Sequence, residues 1–380
     1  MPGTPRRAGA APREEFPMGN STSRRAFLRS VLGATAVGAA GGAMAAKTNK
    51  REAMLALLDK NARQPYVPAA FFIHFDEAFH FGPPAVRKHL EYYRYTGMDF
   101  VKIQYERSFP PIPAIQRPED WTKMPSYPLD FYEPMLAAVD GLVKAAKKEA
   151  LVLMTLYSPF MCAGQTTSLP LVTAHLDEDP DPVRKGLAAI TESLMRFVKE
   201  CIRLGVDGFY ASTQGGEAGR FRDPAVFTRH VKPFDIVLMN EMKRSCQFNI
   251  LHVCDYNAPY ADFSAFIDYP GHVVNCNPRL TGRTLSWSEV ATMFARPCMG
   301  GLDRHGRIVA GSEANIGRAV AEALSQASRP FILGADCTLP SDIKWDNIRT
   351  AIAAAHAVPA NDISQATLKA VPPAPFPAVI

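Results

Sequence analysis

The chain has 380 residues, 47% hydrophobic and 21% charged. That balance supplies a sizeable core and excludes a fibrous, collagen-like or disordered chain. The formal charge of +5 gathers at one end, because residues 1–46 hold six arginines against Glu14 and Glu15 and the remainder is close to neutral. Such a body has no electrostatic pull toward nucleic acid or an anionic membrane. By length, one large domain or two ordinary ones fits, and no linker divides the body.

In chain order, Ser23-Arg24-Arg25-Ala26-Phe27-Leu28-Arg29 comes first, followed by the uncharged stretch Ser30 to Ala46 with its small-x-small site Ala43-Met44-Ala45. This resembles a cleaved twin-arginine export leader, and implies a periplasmic or secreted protein. The stretch is too short and too rich in Ala and Gly for a stable membrane span. Met18 is a plausible true start. Residues 47–65 read as a helical lead-in, 66–357 as the body, and 358–380 as a Pro- and Ala-rich tail.

Within the body, short apolar runs alternate with longer segments of helical period, the pattern of parallel strands joined by crossover helices. The expected strands are Ala69–Ile73, Phe100–Tyr105, Leu151–Leu156, Gly208–Ser212, Phe248–Val253, His272–Cys276, Pro297–Gly301 and Phe331–Gly334. Eight such units predict an α/β fold, a single (β/α)8 TIM barrel. The intervening helices are expected at Pro83–Tyr95, Leu129–Lys148, Val183–Leu204, Pro224–Met242, Ser286–Phe294, Ala314–Ala327 and Asn347–His356. Asp181-Pro182 and Asp223-Pro224 read as helix starts, Gly97 and Gly205 as left-handed helix ends. The crossover around Asp255–Tyr269 is short and aromatic, with the weakest helical signal.

In such barrels the reacting groups follow the strands. Those positions hold His74 and His80, then Tyr105, Glu106 and Arg107, then Tyr157, then Gln214 and Glu217. Later strands are followed by His252, Cys254 and Asp255, by Asn277 and Arg279, by Asp303 and Arg304, and by Asp336 and Cys337. His252 and Cys254, two apart on a strand end, point the same way. Cys337 on the last strand can meet them across the mouth. One nitrogen and two sulfurs suit a catalytic zinc with an open fourth position. The competing reading is two core cysteines and a hydrogen-bonded histidine.

Seven cysteines, an odd number, exclude complete disulfide pairing. Asp255 and Asp336 adjoin two of the candidate ligands and are candidates to orient them, and Glu217 in a Gly-rich loop is a candidate general acid or additional ligand, unless those glycines only make a tight turn. His74, His80, Tyr105, Glu106, Tyr157, Gln214, Arg279 and Asp303 are candidate substrate contacts. Gly300-Gly301-Leu302-Asp303 lacks the spacing and lysine of a phosphate loop.

The stretch Phe331-Ile332-Leu333-Gly334-Ala335-Asp336-Cys337-Thr338-Leu339-Pro340 with Trp345-Asp346-Asn347-Ile348-Arg349 resembles the C-terminal signature of the uroporphyrinogen decarboxylase-like superfamily. Leu251-His252-Val253-Cys254 is similar to its His-x-Cys strand end, and Tyr93–Lys102 and Gly205–Tyr210 to its strand approaches. The resemblance spans approximately residues 66–357 and implies a (β/α)8 barrel. Its methyltransferase branch implies zinc at His252, Cys254 and Cys337, a methyl group passed to or from a small substrate, and a corrinoid as partner cofactor. Its decarboxylase branch grips tetrapyrrole carboxylates with arginines near the first strand, where this chain has Phe71–Glu77 and no arginine before Arg87. Tetrapyrrole decarboxylation through Arg107, Arg279 and Arg304, and non-enzymatic binding of a metal, corrinoid or porphyrin, are the alternatives.

Overall fold

A computed structural model describes residues 49–59, 61, 62, 64–360 and 363. The expected leader and nearly all of the expected tail lie outside them. Seven parallel strands form one sheet: β1 Phe100–Ile103, β2 Leu151–Tyr157, β3 Gly208–Thr213, β4 Ile250–Val253, β5 Val273–Cys276, β8 Cys298–Leu302 and β9 Phe331–Ala335. They are bonded in the order β1-β2-β3-β4-β5-β8-β9. A two-stranded antiparallel ribbon, β6 Arg279–Leu280 and β7 Arg283–Thr284, rises between β5 and β8. Nearly every residue of the parallel strands is buried, which explains their continuous apolar runs.

The first expected strand behaves differently. Ala69–Ile73 is extended but makes a single parallel bridge, Ala69 to Leu333. Side chains satisfy much of the rest of its backbone. The Ala69 N–H donates to Asp99 Oδ2 at 2.7 Å, Gln104 Nε2 donates to the Ile73 carbonyl at 2.7 Å, and Tyr92 OH donates to the Phe71 carbonyl at 3.0 Å. Main-chain bonds to Leu333, to Asp99 just before β1 and to Leu339 take other groups of the segment, which lies alongside β9 without becoming a regular strand. The sheet is a curled array of seven strands where eight were expected.

Helices pack outside the sheet at Gly82–Thr96, Glu133–Ala146, Pro180–Leu204, Lys232–Ser245, Trp287–Phe294, Glu313–Ser325 and Trp345–His356, near the expected positions. Two expected starts fare differently. Asp223 accepts from the Ala225 N–H at 2.9 Å, whereas the long helix starts one turn-fragment earlier than Asp181-Pro182, with Asp179 as cap and Pro180 first. The helix entering Lys232–Ser245 widens into a π-turn over Phe227–Val231, where Pro233 has no N–H to continue the ladder. Between β4 and β5 only a 3₁₀ turn forms, Ser264–Phe266. Three helices went unanticipated: Pro159–Thr166 and Leu169–Glu178, capped by Ser158 and Ser168, and the single turn Arg307–Ala310. Among the described residues no helix is long and apolar enough to cross a membrane.

One device recurs at the N-terminal ends of the strands. Gly97 and Gly205 end their helices at φ 79° and 97°, and two residues later Asp99 and Asp207 turn inward. Asp99 takes the Ala69 N–H, and Asp207 takes the Val152 N–H at 2.9 Å. Asp99 also accepts from Tyr66 OH at 2.7 Å and contacts His356 Nε2 at 2.8 Å, tying the irregular first segment to the last helix. Removing a buried carboxylate with three partners leaves donors unpaired, at a cost of roughly 1–3 kcal/mol per group. Asp99→Ala is expected to lose at least about 3 kcal/mol in urea unfolding. A loss under about 1 kcal/mol would remove this role.

Candidate metal and substrate site

His252 stands on β4, Cys254 one residue beyond it, and Cys337 two beyond β9. Three strands apart in a flat sheet would mean about 14 Å. Here the curl brings Cys337 Sγ to 3.4 Å from His252 Nε2 and 3.9 Å from Cys254 Sγ. All three donor atoms lie within 4.8 Å of one another, and all three residues are buried. For zinc–sulfur and zinc–nitrogen bonds of about 2.3 and 2.05 Å, tetrahedral edges are about 3.8 Å between sulfurs and about 3.6 Å from sulfur to nitrogen. The two measured edges match a zinc-sized cation, and the donor set fits it. His252 Nδ1 is buried with no hydrogen-bond partner among the described residues, so it lacks the outer partner that a metal-bound histidine usually has.

Neighbouring groups hold the sulfurs. Gln214 Nε2 donates to Cys254 Sγ at 3.2 Å, and Asn257 Nδ2 donates to Gln214 Oε1 at 3.1 Å. The bond from Cys254, with help from His252 and Arg304, pulls the Cys337 thiol well below its usual range. Cys254 is pushed up by the same bond and by burial. All seven cysteines are free thiols.

These ligands line a cavity of about 680 Å³ at the C-terminal ends of the strands. Of the expected contacts, His74, Tyr157 and Gln214 line it, together with Arg304. His80 and Glu106 stand behind His74: Glu106 Oε1 is 2.9 Å from His74 Nδ1 and 4.0 Å from His80 Nε2. Tyr105 does not face the mouth. It is fully buried, between the Tyr157 and Phe197 rings, because β1 ends at Ile103 and the chain then turns beneath the helix Pro180–Leu204.

The three expected catalytic carboxylates are engaged elsewhere. Asp255 and Asp336 clamp Arg304 at 2.7 and 3.3 Å. Asp336 Oδ1 also accepts from the Arg304 and Cys337 N–H groups, so it positions the Cys337 backbone and does not touch its sulfur. Burial pushes Asp336 up to about 6, with Arg304 pulling back. Glu217 is sealed from the cavity, accepting from the Gly215 N–H at 2.9 Å and Arg220 Nε at 3.0 Å, which shapes its own loop. Arg279 and Asp303 pair with each other at 2.7 Å on the rim, outside the cavity lining. Arg107 donates to the Phe131 carbonyl at 2.6 Å, away from the cavity.

Sequence reasoning missed Lys102, buried on β1 and lining the cavity. It also missed Thr155, Tyr210 and Ser212 on β2 and β3, and Met161, Gly164 and Gln165 on the unanticipated helix. A lysine inside the run Phe100-Val101-Lys102-Ile103 was the available signal, since a fully buried parallel strand otherwise excludes it. Burial pushes its ammonium down to about 7.

Behind β3, Asp235 accepts from Thr213 Oγ1 at 2.6 Å and Tyr269 OH at 3.0 Å, bracing the strand end that carries Gln214. Burial pushes its carboxyl up from 3.8 to about 7 against those bonds. The folded state therefore holds a proton that the unfolded chain has already lost. This contribution is complete below about pH 4 and disappears as pH rises through about 7. Stability should fall by up to about 1.4 kcal/mol per pH unit across that window, and Asp235→Asn should flatten the slope in urea titrations. An unchanged slope would place the proton elsewhere.

The uroporphyrinogen decarboxylase (URO-D) family model matches residues 96–358. A methyltransferase from Methanosarcina mazei has a similar structure, at TM-score 0.65 and 15% identity, over 80% of this chain and 98% of that one. At that identity the likeness shows the fold alone. A B12-independent methionine synthase from Shewanella sp. W3-18-1 aligns at TM-score 0.46 and 10% identity, over 76% and 95% of the two chains, too loosely to carry an argument. Among curated proteins, none matches the chain in sequence.

Proposed function

The chain belongs to the uroporphyrinogen decarboxylase (URO-D) family, and from that premise we propose that it is a methyltransferase that works on a small thiol-bearing substrate at a zinc held by His252, Cys254 and Cys337. The observation that carries this reading is the meeting of these three donors at the wall of a substrate-sized cavity. A metal there supplies a place where a thiol gives up its proton at neutral pH. The chain's own residues do the rest. Gln214 steadies Cys254, Asp336 fixes the Cys337 backbone, and the cavity wall holds the acceptor and a methyl donor, a corrinoid or a small molecule, in line. The bond from methyl carbon to donor breaks as the bond from methyl carbon to acceptor sulfur forms.

Tetrapyrrole decarboxylation draws no support from the arginines it would use. Only Arg304 lines the cavity, and two carboxylates already neutralise it. As part of the same reading, we take Ala69–Ile73 to occupy the eighth position of the barrel, and the Ser23–Arg29 leader to direct export.

Metal analysis of the purified protein is expected to find about one zinc per chain, lost in Cys337→Ser. Zinc that survives the substitution unchanged would overturn the site. N-terminal sequencing of the exported protein should begin just past the Ala43-Met44-Ala45 site. An intact Met1 or Met18 on active protein confined to the cytosol would end the export reading.

A further inference from the structure

Among the described residues, the cavity lining holds one lysine and no aspartate or glutamate. Lys102 Nζ donates to Gln104 Oε1, and that amide is itself fixed, since Gln104 Nε2 donates to the Ile73 carbonyl at 2.7 Å. The Phe72 and Tyr210 rings also face the nitrogen, with centroids 4.5 and 4.7 Å from it. A buried ammonium has three N–H groups to place and a full charge to balance, whereas a neutral amine has two N–H groups and a lone pair. One amide oxygen and two ring faces compensate a full charge weakly.

Burial therefore favours the amine. Cys337 and Cys254 across the cavity and Glu106 from the following loop pull the other way, while His89 from the helix Gly82–Thr96 couples to Lys102 with like sign. The balance lies at about 7, so a large share of Lys102 carries a free lone pair at neutral pH, where an exposed lysine carries almost none. The nitrogen opens onto a substrate-sized cavity, and no step of the methyl transfer uses it. A desolvated amine in such a place is a nucleophile toward carbonyl carbon.

We propose that Lys102 captures a small aldehyde or ketone in the cavity as an imine, an activity separate from that of the metal ligands. The amine lone pair forms the C–N bond while the π pair of the carbonyl moves to its oxygen. Both amine protons pass to that oxygen, which leaves as water as the C=N bond forms. Thr155 Oγ1 lines the cavity and points to Gln104 Oε1 at 3.5 Å, the oxygen that Lys102 also meets, which places a hydroxyl beside the amine to relay those protons. Once protonated, the imine nitrogen keeps a single N–H, which Gln104 Oε1 is placed to accept, and its charge lies over the two rings. Lys102 is only 4% exposed, so the carbonyl must be unhindered and its compound small.

The test uses the full chain, acetone and propanal as separate probes, cyanoborohydride to reduce the imine, and peptide mass spectrometry to locate alkylated lysines. At neutral pH, Lys102 is expected to gain an isopropyl or propyl group at least about tenfold faster than the exposed lysines of the same sample. Fast labelling by propanal alone supports the proposal for aldehydes and excludes ketones. Lys102 untouched while exposed lysines react, or reacting no faster than they do, overturns it. In Lys102→Arg, which keeps a cation at β1 without the nucleophile, the fast labelling should disappear. Fast labelling that persists there belongs to another residue and overturns the assignment. If that variant does not fold, mapping on the unmutated protein decides alone. Zinc content of the same samples reads the metal site separately: labelled Lys102 in a chain that takes up no zinc defeats the metal reading and leaves the imine standing, and zinc without labelling does the reverse.

Discussion

The curl of the parallel sheet is the constraint on which everything else depends. Residues on β4 and just beyond β9 belong to strands three places apart, yet their donor atoms come within hydrogen-bonding distance. The same curvature lets Tyr210 OH on β3 reach Asn275 on β5 at 2.5 Å, while Asn275 Nδ2 reaches the Ala335 carbonyl on β9 at 3.0 Å. These polar links cross the interior beneath the cavity. They satisfy groups that would be costly to bury alone, and they tie β3, β5 and β9 together across the interior.

Division of labour along the strands follows from that geometry. Their N-terminal ends carry Asp99 and Asp207, each consuming a backbone N–H of a neighbouring segment, and contribute stability. Their C-terminal ends carry the sulfurs, the imidazole and the cavity. Between the two lies Lys102, buried on β1 with its ammonium over the Phe72 and Tyr210 rings.

Much of the fold was legible because its signals are local. Alternating apolar runs and helical periods marked seven strands and seven helices, and Gly97 and Gly205 marked helix ends through a conformation that favours glycine. The first expected strand has a strand's apolar run but forms a single bridge, Ala69 to Leu333. Its backbone is shared between main-chain bonds to Leu333, Asp99 and Leu339 and the side chains of Asp99, Tyr92 and Gln104, which no local pattern announces. The helices at Pro159–Thr166 and Leu169–Glu178 are short, with weak periodicity, and take their place from packing over the cavity.

At the site, the sequence by itself determined which atoms are available: an imidazole and a thiol two residues apart on a strand end, and a second thiol after the last strand. Side-chain alternation with period two is a local property, and it settles that His252 and Cys254 share a face. Whether Cys337 joins them, whether Asp255 and Asp336 face a ligand or an arginine, and whether Tyr105 meets substrate or core are matters of distance between remote segments. Only the tertiary structure decided them. Closure of the sheet's curvature is a cooperative outcome of packing many side chains, and no single stretch of chain encodes it.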